Sequence, residues 1–333
     1  MRCAFNAVHE AWPIAGDFRI ARGSKRWADV VVVTVAQDGA VGAGECVPYA
    51  RYGESVRGCI DELRKFLGRR RRLPTREELI ASMPAGAARN ALDCALVDLE
   101  AALTGRPAWE VLELPEPAQV QTALTLSLDT PEAMARAVER PWPLLKCKLG
   151  GDDVGADAAR LRAVREAAPE ARLIVDANES WSVSYLEAMF GPLTEVDVAL
   201  LEQPLPADAD DALVALDAPL PIGADESVHD GLALEALAEK YTVLNLKLDK
   251  TGGVTRALAV RDAVRDAGLG VMVGCMVATS LSMLPALLVA QGARFVDLDG
   301  GLLLRGDRVR GVEYGTGTAA WPRKSCWGGD LGR

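Results

Sequence analysis

Five short apolar runs of this 333-residue chain carry their only charges at or near the last position. They are Leu144–Leu149 with Lys146 and Lys148, Leu173–Asp176, Val198–Glu202, Ile222–Asp225 and Val243–Lys247. Each run reads as a buried β-strand, where a charge is costly unless it is paired or binds a metal. Asp176, Glu202 and Asp225 make a hard, all-oxygen donor set, which suits Mg²⁺ with Mn²⁺ as a substitute. His9 and His229 are the only histidines, so a histidine-rich zinc or iron site is excluded. A lone aspartate at a strand end is more often a helix N-cap than a ligand. Three carboxylates on successive strands, flanked by lysines, are better read as a metal site.

The lysines extend the chemistry. An ammonium is no base at neutral pH, but a second ammonium and a divalent cation nearby both disfavour its charge. Lys146 can do this for Lys148, because alternation puts both on one face and Cys147 on the other. A metal that binds a substrate carboxylate stabilises the enediolate left when the neighbouring carbon loses its proton. With Lys148 on one face and Lys247 on the other, a proton removed from one side returns on the other. That is 1,1-proton transfer, a racemisation or epimerisation.

These groups need a scaffold that gathers strand ends. From Thr122–Leu128 onward, about eight strand-like runs recur roughly 20–28 residues apart, ending with Gly270–Val273 and Phe295–Asp299. Amphipathic helices lie between them, such as Asp157–Ala168 and Thr255–Ala267. This is the repeat of a parallel barrel, whose strand C-termini converge at one mouth. A doubly wound sheet would alternate in the same way, but the glycine-rich phosphate fingerprint is absent and Gly252-Gly253 alone is weak. The first third differs. Trp27–Gln37, the turn Asp38-Gly39 and Val41–Cys46 form a hairpin signal, followed by helices over Ser55–Leu67 and Ala87–Thr104. The second helix carries Leu92, Ala95, Leu96, Leu99 and Leu103 on one stripe. The expected domains are an α+β cap over residues 1–115, completed by 307–333, and a barrel over 120–306. The last segment is expected to contain a strand at Val309–Tyr314 and to return to the cap.

The net charge of −10 argues against nucleic acid or an anionic membrane as partner. The four arginines Arg69–Arg72 read as a solvated helix end. No stretch has the length of a membrane span or the pattern of a cleavable signal. The seven scattered cysteines, without a C-x-x-C pair, suggest reduced thiols and a cytoplasmic protein, which makes the Asn178-Glu179-Ser180 triplet a chance match. Oligomeric state is not written in the sequence, and a homo-oligomer stays open.

The motifs Lys146-Cys147-Lys148, Asp176-Ala177-Asn178, Leu201-Glu202-Gln203-Pro204, Ala224-Asp225-Glu226-Ser227 and Asn245-Leu246-Lys247 together resemble the enolase superfamily. Pairing a lysine or histidine base with Mg²⁺ is a known device of that superfamily. The lysine pair resembles its muconate-lactonizing subgroup, which implies a modified TIM barrel, (β/α)₇β, under an N-terminal α+β capping domain. Ala21–Ser24 and Arg51–Ser55 resemble the family's capping loops. The resemblance implies Asp176, Glu202 and Asp225 as metal ligands, Lys148 and Lys247 as bases, Lys146 as their helper, and Asn178 and Glu226 as groups that orient the ligands.

Asp297-Leu298-Asp299 narrows the substrate. Alternation aims both carboxylates into the mouth, where they suit an ammonium group. In the dipeptide epimerases this D-x-D position binds the substrate's N-terminal ammonium. Met83–Asn90 and Gly274-Cys275-Met276 look closest to the bacterial L-Ala-D/L-Glu epimerases of that family. The resemblance thus implies a small dipeptide as substrate, in murein peptide metabolism. A glutamyl side chain needs a cation from the capping loop, with Lys25 the first choice over Arg22 and Arg51. Cys275 and Met276 are expected to line the pocket, Cys275 by packing rather than as a reactive thiol. The rivals are a lyase or cycloisomerase of the same subgroup (o-succinylbenzoate synthase or muconate cycloisomerase type), an epimerase of another dipeptide, and a non-catalytic binding protein.

Overall fold

The computed structural model describes residues 4–138, 140–150, 153–229 and 233–329. Cys3 and the last residues of the 307–333 segment lie outside the described residues. Three long antiparallel strands open the chain: β1 (Ala4–Ile20), β2 (Gly23–Gln37) and β3 (Ala40–Cys46). The β2–β3 hairpin matches the sequence reading. Its turn residues Asp38 and Gly39 have φ of 51° and 85°, the left-handed pair that a two-residue hairpin requires. β1 was not anticipated. Pro13, Gly16 and a register break between Pro13 and Phe18 blur its alternation, and it lies at the edge of its sheet.

One face of this sheet is covered by α1 (Val56–Leu67), α2 (Arg76–Ser82) and α3 (Ala87–Thr104). Ser55 caps α1 by accepting from Gly58 N, and Thr75 with Glu78 forms a capping box on α2. α3 lies almost on the backbone of β3. A Cβ on Gly42 would sit 2.2 Å from Ala95 O, and one on Gly44 would sit 2.1 Å from Ala91 O. α3 is also buried well beyond the stripe read from sequence. It packs on the barrel as well as the sheet, so Arg89, Asn90 and Asp93 are buried while Leu103 is exposed.

After α4 (Ala108–Val111) and β4 (Val120–Gln121) comes the barrel. Its strands are β5 (Leu124–Leu126), β6 (Leu144–Lys148), β7 (Arg172–Asp176), β8 (Val198–Glu202), β9 (Ile222–Ala224), β10 (Val243–Leu246), β11 (Gly270–Gly274) and β12 (Phe295–Asp297). All neighbours are parallel and in sequence order. The ring closes as Ala123 N donates to Val296 O at 2.8 Å. Helices α5 (Pro131–Ala137), α6 (Val154–Ala167), α7 (Val183–Glu195), α8 (Leu234–Ala238), α9 (Leu248–Thr251), α10 (Val254–Asp266) and α11 (Ser280–Val289) connect the strands, with a 3₁₀ turn at Asp211–Ala215 between β8 and β9.

Alternation sorts the strand side chains. Leu144, Ile174, Leu200, Val243, Met272 and Phe295 fill the barrel's lower interior. Cys147, Val175, Leu201, Leu244 and Val273 face outward into the core under the helices. Two residues above the inner apolar layer stand Lys146, Asp176, Glu202, Asn245 and Asp297, buried to at least 96 %. The inner layer is thus apolar at the base and ionic at the mouth.

The last segment departs from expectation. Its strands are β13 (Glu313–Gly315) and β14 (Thr318–Ala320), and β14 pairs with β4. Val309, read as part of a strand, is exposed, and Arg310 takes φ 63°. The tail beyond the hairpin reaches α3. There Trp327 Nε1 donates to Cys94 O at 3.1 Å and Gly328 N donates to Asp98 at 2.7 Å. Further back, Arg308 spans to Glu45 of β3 and Glu10 of β1, each at 2.7 Å.

Candidate active site

A cavity of about 430 Å³ lies between the barrel mouth and the β1–β2 hairpin. Its floor is the ring of strand ends. Asp176 and Glu202 end β7 and β8, while Asp225 follows β9 and Lys247 follows β10. One oxygen of each of Asp176, Glu202 and Asp225 lies within 4.8 Å of the others, and all three side chains are buried. Lys146 Nζ stands 3.0 Å from Asp176, 2.8 Å from Glu202 and 2.8 Å from Asp297. Lys148 reaches Asp176 at 2.5 Å, and Lys247 reaches Asp225 at 2.6 Å.

The charges set one another's ionisation. Burial opposes the charge of Asp176 and Asp225, but ammoniums beside them (Lys148 and Lys146, Lys247 and Lys250) hold both carboxyls well below the usual range. Glu202 is pushed up to about 7 by burial and by the Asp176 charge, against the pull of Lys146. Burial disfavours the ammonium of Lys146, yet Asp297, Glu202 and Asp176 raise its pKa well above normal, as Asp225 does for Lys247.

This donor set fits a divalent cation. Three buried carboxylates converge, and Glu202 Oε2 has no hydrogen-bond donor although Lys146 Nζ is close by. The ligands are also braced. Asn245 donates to Glu202 Oε1 at 2.7 Å, and Asn178 N donates to Asp176 Oδ1 at 2.9 Å. Gln203 accepts from Asp225 N and Ser227 N while donating to Ser227 Oγ and Tyr241 OH. Asn178, Glu179 and Gln203 all have positive φ, a cost concentrated in the turns that follow two ligands.

Lys250, Asn245 and Gln203 were not read as site groups from sequence. Lys250 is buried and donates to Asp225 Oδ1 at 2.6 Å, to Asp225 O and to Asn245 O. Its signal was present: it falls three residues after Lys247, one turn into α9, and so returns to the same end of the barrel. Asn245 alternates inward two residues before Lys247.

The candidates for substrate contact come from both the hairpin and the barrel's strand ends. Arg22, Lys25, Cys275, Met276, Asp297 and Asp299 all line the cavity. Arg22, however, is engaged by the protein: it donates to Asn178 O at 2.8 Å, Glu179 at 3.0 Å and Glu226 at 2.7 Å. Arg51 holds Glu179 through two bonds of 2.7 Å. Lys25 meets no carboxylate among the described residues and rests 4.8 Å over the Tyr49 ring. Asp299 accepts from Thr125 N at 2.6 Å, and burial with the neighbouring Asp297 charge pushes its carboxyl up to about 7. Cys275 is raised well above the thiol range by burial, as suits a packing residue. The wall after β11 is held at Thr279, whose N–H and hydroxyl both donate to Glu45.

A barrel of this topology with carboxylates and lysines at its mouth defines a class. Residues 3–112 match the mandelate racemase/muconate lactonizing enzyme N-terminal domain, and residues 129–304 match the enolase C-terminal domain-like family. The chain belongs to the enolase superfamily. It is 44 % identical to the L-Ala-D/L-Glu epimerase of Escherichia coli K12, over 92 % of this chain and 96 % of that protein. It is also 44 % identical to an N-acetyl-D-glutamate racemase of a Pseudoalteromonas species, over 90 % and 95 %. A crystal structure of an enolase family member from Agrobacterium tumefaciens, with homology to dipeptide epimerases, superposes with a TM-score of 0.90 at 46 % identity. That match covers 96 % of this chain and 97 % of the other, which holds sodium and L-Ala-L-Glu. Epimerases and racemases are isomerases, and this chain is placed in that enzyme class.

Proposed function

We propose that this enzyme epimerises L-Ala-L-Glu and L-Ala-D-Glu at the glutamyl α-carbon by two-lysine 1,1-proton transfer, with Mg²⁺ held by Asp176, Glu202 and Asp225. The observation that carries the reading is the placement of the lysines. Lys148 ends the second barrel strand and Lys247 follows the sixth, so they face one another across an eight-stranded ring with the carboxylates between. One takes the α-proton from its face and the other delivers a proton to the opposite face. A divalent cation at the triad supplies positive charge against the substrate carboxylate while the α-carbon is deprotonated. Lys146 adds a second fixed positive charge there, and Lys250 and Asn245 keep Asp225 and Glu202 in place.

Asp297 and Asp299 take the dipeptide ammonium, and Lys25 takes the glutamyl side-chain carboxylate. Asn178 and Glu226, joined at 3.4 Å, tie the floor to Arg22 of the cap. Residues 1–115 with the returning segment act as the cap and residues 120–306 as the catalytic barrel. The setting that fits is turnover of murein peptides in the cytoplasm. No helix among the described residues is long and apolar enough to cross a membrane.

The test is proton NMR in D₂O of L-Ala-L-Glu with the purified protein and Mg²⁺. Loss of the glutamyl α-proton signal with growth of the L,D diastereomer is expected. N-acetyl-L-glutamate, which lacks the ammonium, should exchange more slowly. Exchange of N-acetyl-L-glutamate alone would transfer the assignment to an N-acyl amino acid racemase. Exchange with neither, at a bound metal, would return the lyase reading.

A further inference from the structure

The β1–β2 hairpin crosses the mouth from one side of the barrel to the other. At its tip, Arg22 is tied to Asn178 after β7 and to Glu226 after β9, the third and fifth strands. At its base, Ala15 N donates to Leu303 O and Arg305 N donates to Pro13 O. Leu302 N and Leu303 N in turn donate to Asp299 O, just beyond the eighth strand. The hairpin base therefore lies at the Asp297/Asp299 end of the cavity and the tip at the opposite end.

The two ends differ in chemistry. Lys25 pairs with Phe18 across the hairpin, and Trp27, two residues on, pairs with Pro13 at the base. Successive residues of one face lie about 7 Å apart along a strand, so Trp27 is displaced from Lys25 toward Asp299. Phe18, Trp27, Val277 and Leu303 all line the cavity, and Phe18 and Val277 pack on the small core of Ile14, Ala28 and Leu304. Trp27 itself is 54 % exposed, a large apolar surface at the mouth of a polar site. The carboxylates that suit a substrate ammonium thus share their end of the cavity with an apolar wall that is open outward.

We infer that this wall is the subsite for the side chain of the substrate's N-terminal residue, and that Trp27 selects large apolar residues there. The inference rests on the dipeptide epimerase reading and widens its substrate class. An N-terminal residue anchored by its ammonium at Asp297 and Asp299 places its side chain beside Phe18, Val277, Leu303 and Trp27. An alanine methyl would cover little of that wall, whereas leucine or phenylalanine would cover much of it. One added methylene in an apolar pocket changes kcat/KM by about 10-fold or more. The wall is half open, so about tenfold is expected for the whole change from alanine to leucine.

The experiment compares kcat/KM for L-Ala-L-Glu, L-Leu-L-Glu and L-Phe-L-Glu by α-proton exchange in D₂O, in the wild type and in Trp27→Ala and Trp27→Phe. The expected result is a preference of about tenfold for Leu-Glu and Phe-Glu over Ala-Glu. Trp27→Ala should erase that ratio, chiefly through KM, and Trp27→Phe should restore most of it. Preference for Ala-Glu in the wild type, or a ratio unmoved by Trp27→Ala, would overturn the inference and leave the epimerase reading standing. Exchange of none of the three by the metal-loaded wild type would strike the epimerase reading itself, and this inference with it.

Discussion

At the barrel mouth, Lys146 keeps 1 % of its surface exposed and stands within 3.0 Å of three carboxylates. On the hairpin above it, Trp27 keeps 54 % exposed and Lys25 lies on a tyrosine ring with no carboxylate among the described residues. The first region is a cage in which every charge is fixed by another, and its side chains are held by strands. The second is a polar and apolar strip carried on an edge hairpin, with its functional groups left for a ligand. On the proposed mechanism the contrast separates two jobs. Proton transfer needs preorganised charge, so its groups are buried and braced. Substrate choice needs surface that the substrate itself completes.

The largest effects are expected in the cage. Lys148→Ala and Lys247→Ala should each reduce epimerisation by about 10³-fold or more, while retaining α-proton exchange from one stereoisomer only. NMR in D₂O of both diastereomers reads this directly, and full activity in either variant would break the two-base scheme. Glu202→Gln tests the cation separately from turnover. Excess Mg²⁺ at about a hundredfold over its Kd should stabilise the wild type by about 2.7 kcal/mol, and most of that increment should vanish in the variant. Thermal unfolding with and without a chelator measures it.

The hairpin should respond more gently. Lys25→Met is expected to lower kcat/KM for Ala-Glu by about 10- to 100-fold, with a smaller loss for a dipeptide ending in a neutral residue. Arg22→Ala frees the hairpin tip from Glu179 and Glu226, and should raise KM about tenfold with a lesser change in kcat. Equal losses on both measures would make Arg22 part of the cage rather than of the cover. The smallest effect concerns stability. Asp93 on α3 is pushed up to about 6 by burial, against the opposing pull of Thr255 N. A folded-state value above the unfolded one means that its contribution is full below about pH 4 and lost as pH rises through 6. Asp93→Asn should therefore lose less stability between pH 4 and 6 than the wild type, by on the order of 2–3 kcal/mol in urea titrations.

The same contrast explains what the sequence disclosed. Strand-end charges are legible because alternation and burial leave a charged residue in an apolar run few alternatives, so Asp176, Glu202, Asp225 and the lysines stood out. The eight barrel strands were legible for the same reason, within a residue or two at most ends. β1 was not, because Pro13 and Gly16 interrupt the alternation of a strand at the edge of its sheet. Lys250 was hidden because it follows the strand by a helical turn, a geometry that strand periodicity does not signal. Sequence ranks Lys25 ahead of Arg22 only through the resemblance; the carboxylates that meet Arg22 separate the two physically.

Glu45 is made early, in the third strand, yet Arg308, the guanidinium that neutralises it, follows 263 residues later. Trp327, which closes on Cys94 of α3, arrives 233 residues after its partner. A growing chain that has already exposed the first sheet and its helices must carry an uncompensated carboxylate and an open tryptophan socket through the synthesis of the whole barrel. The first sheet and its helices, which precede the barrel in the chain, are therefore completed only by residues that follow it.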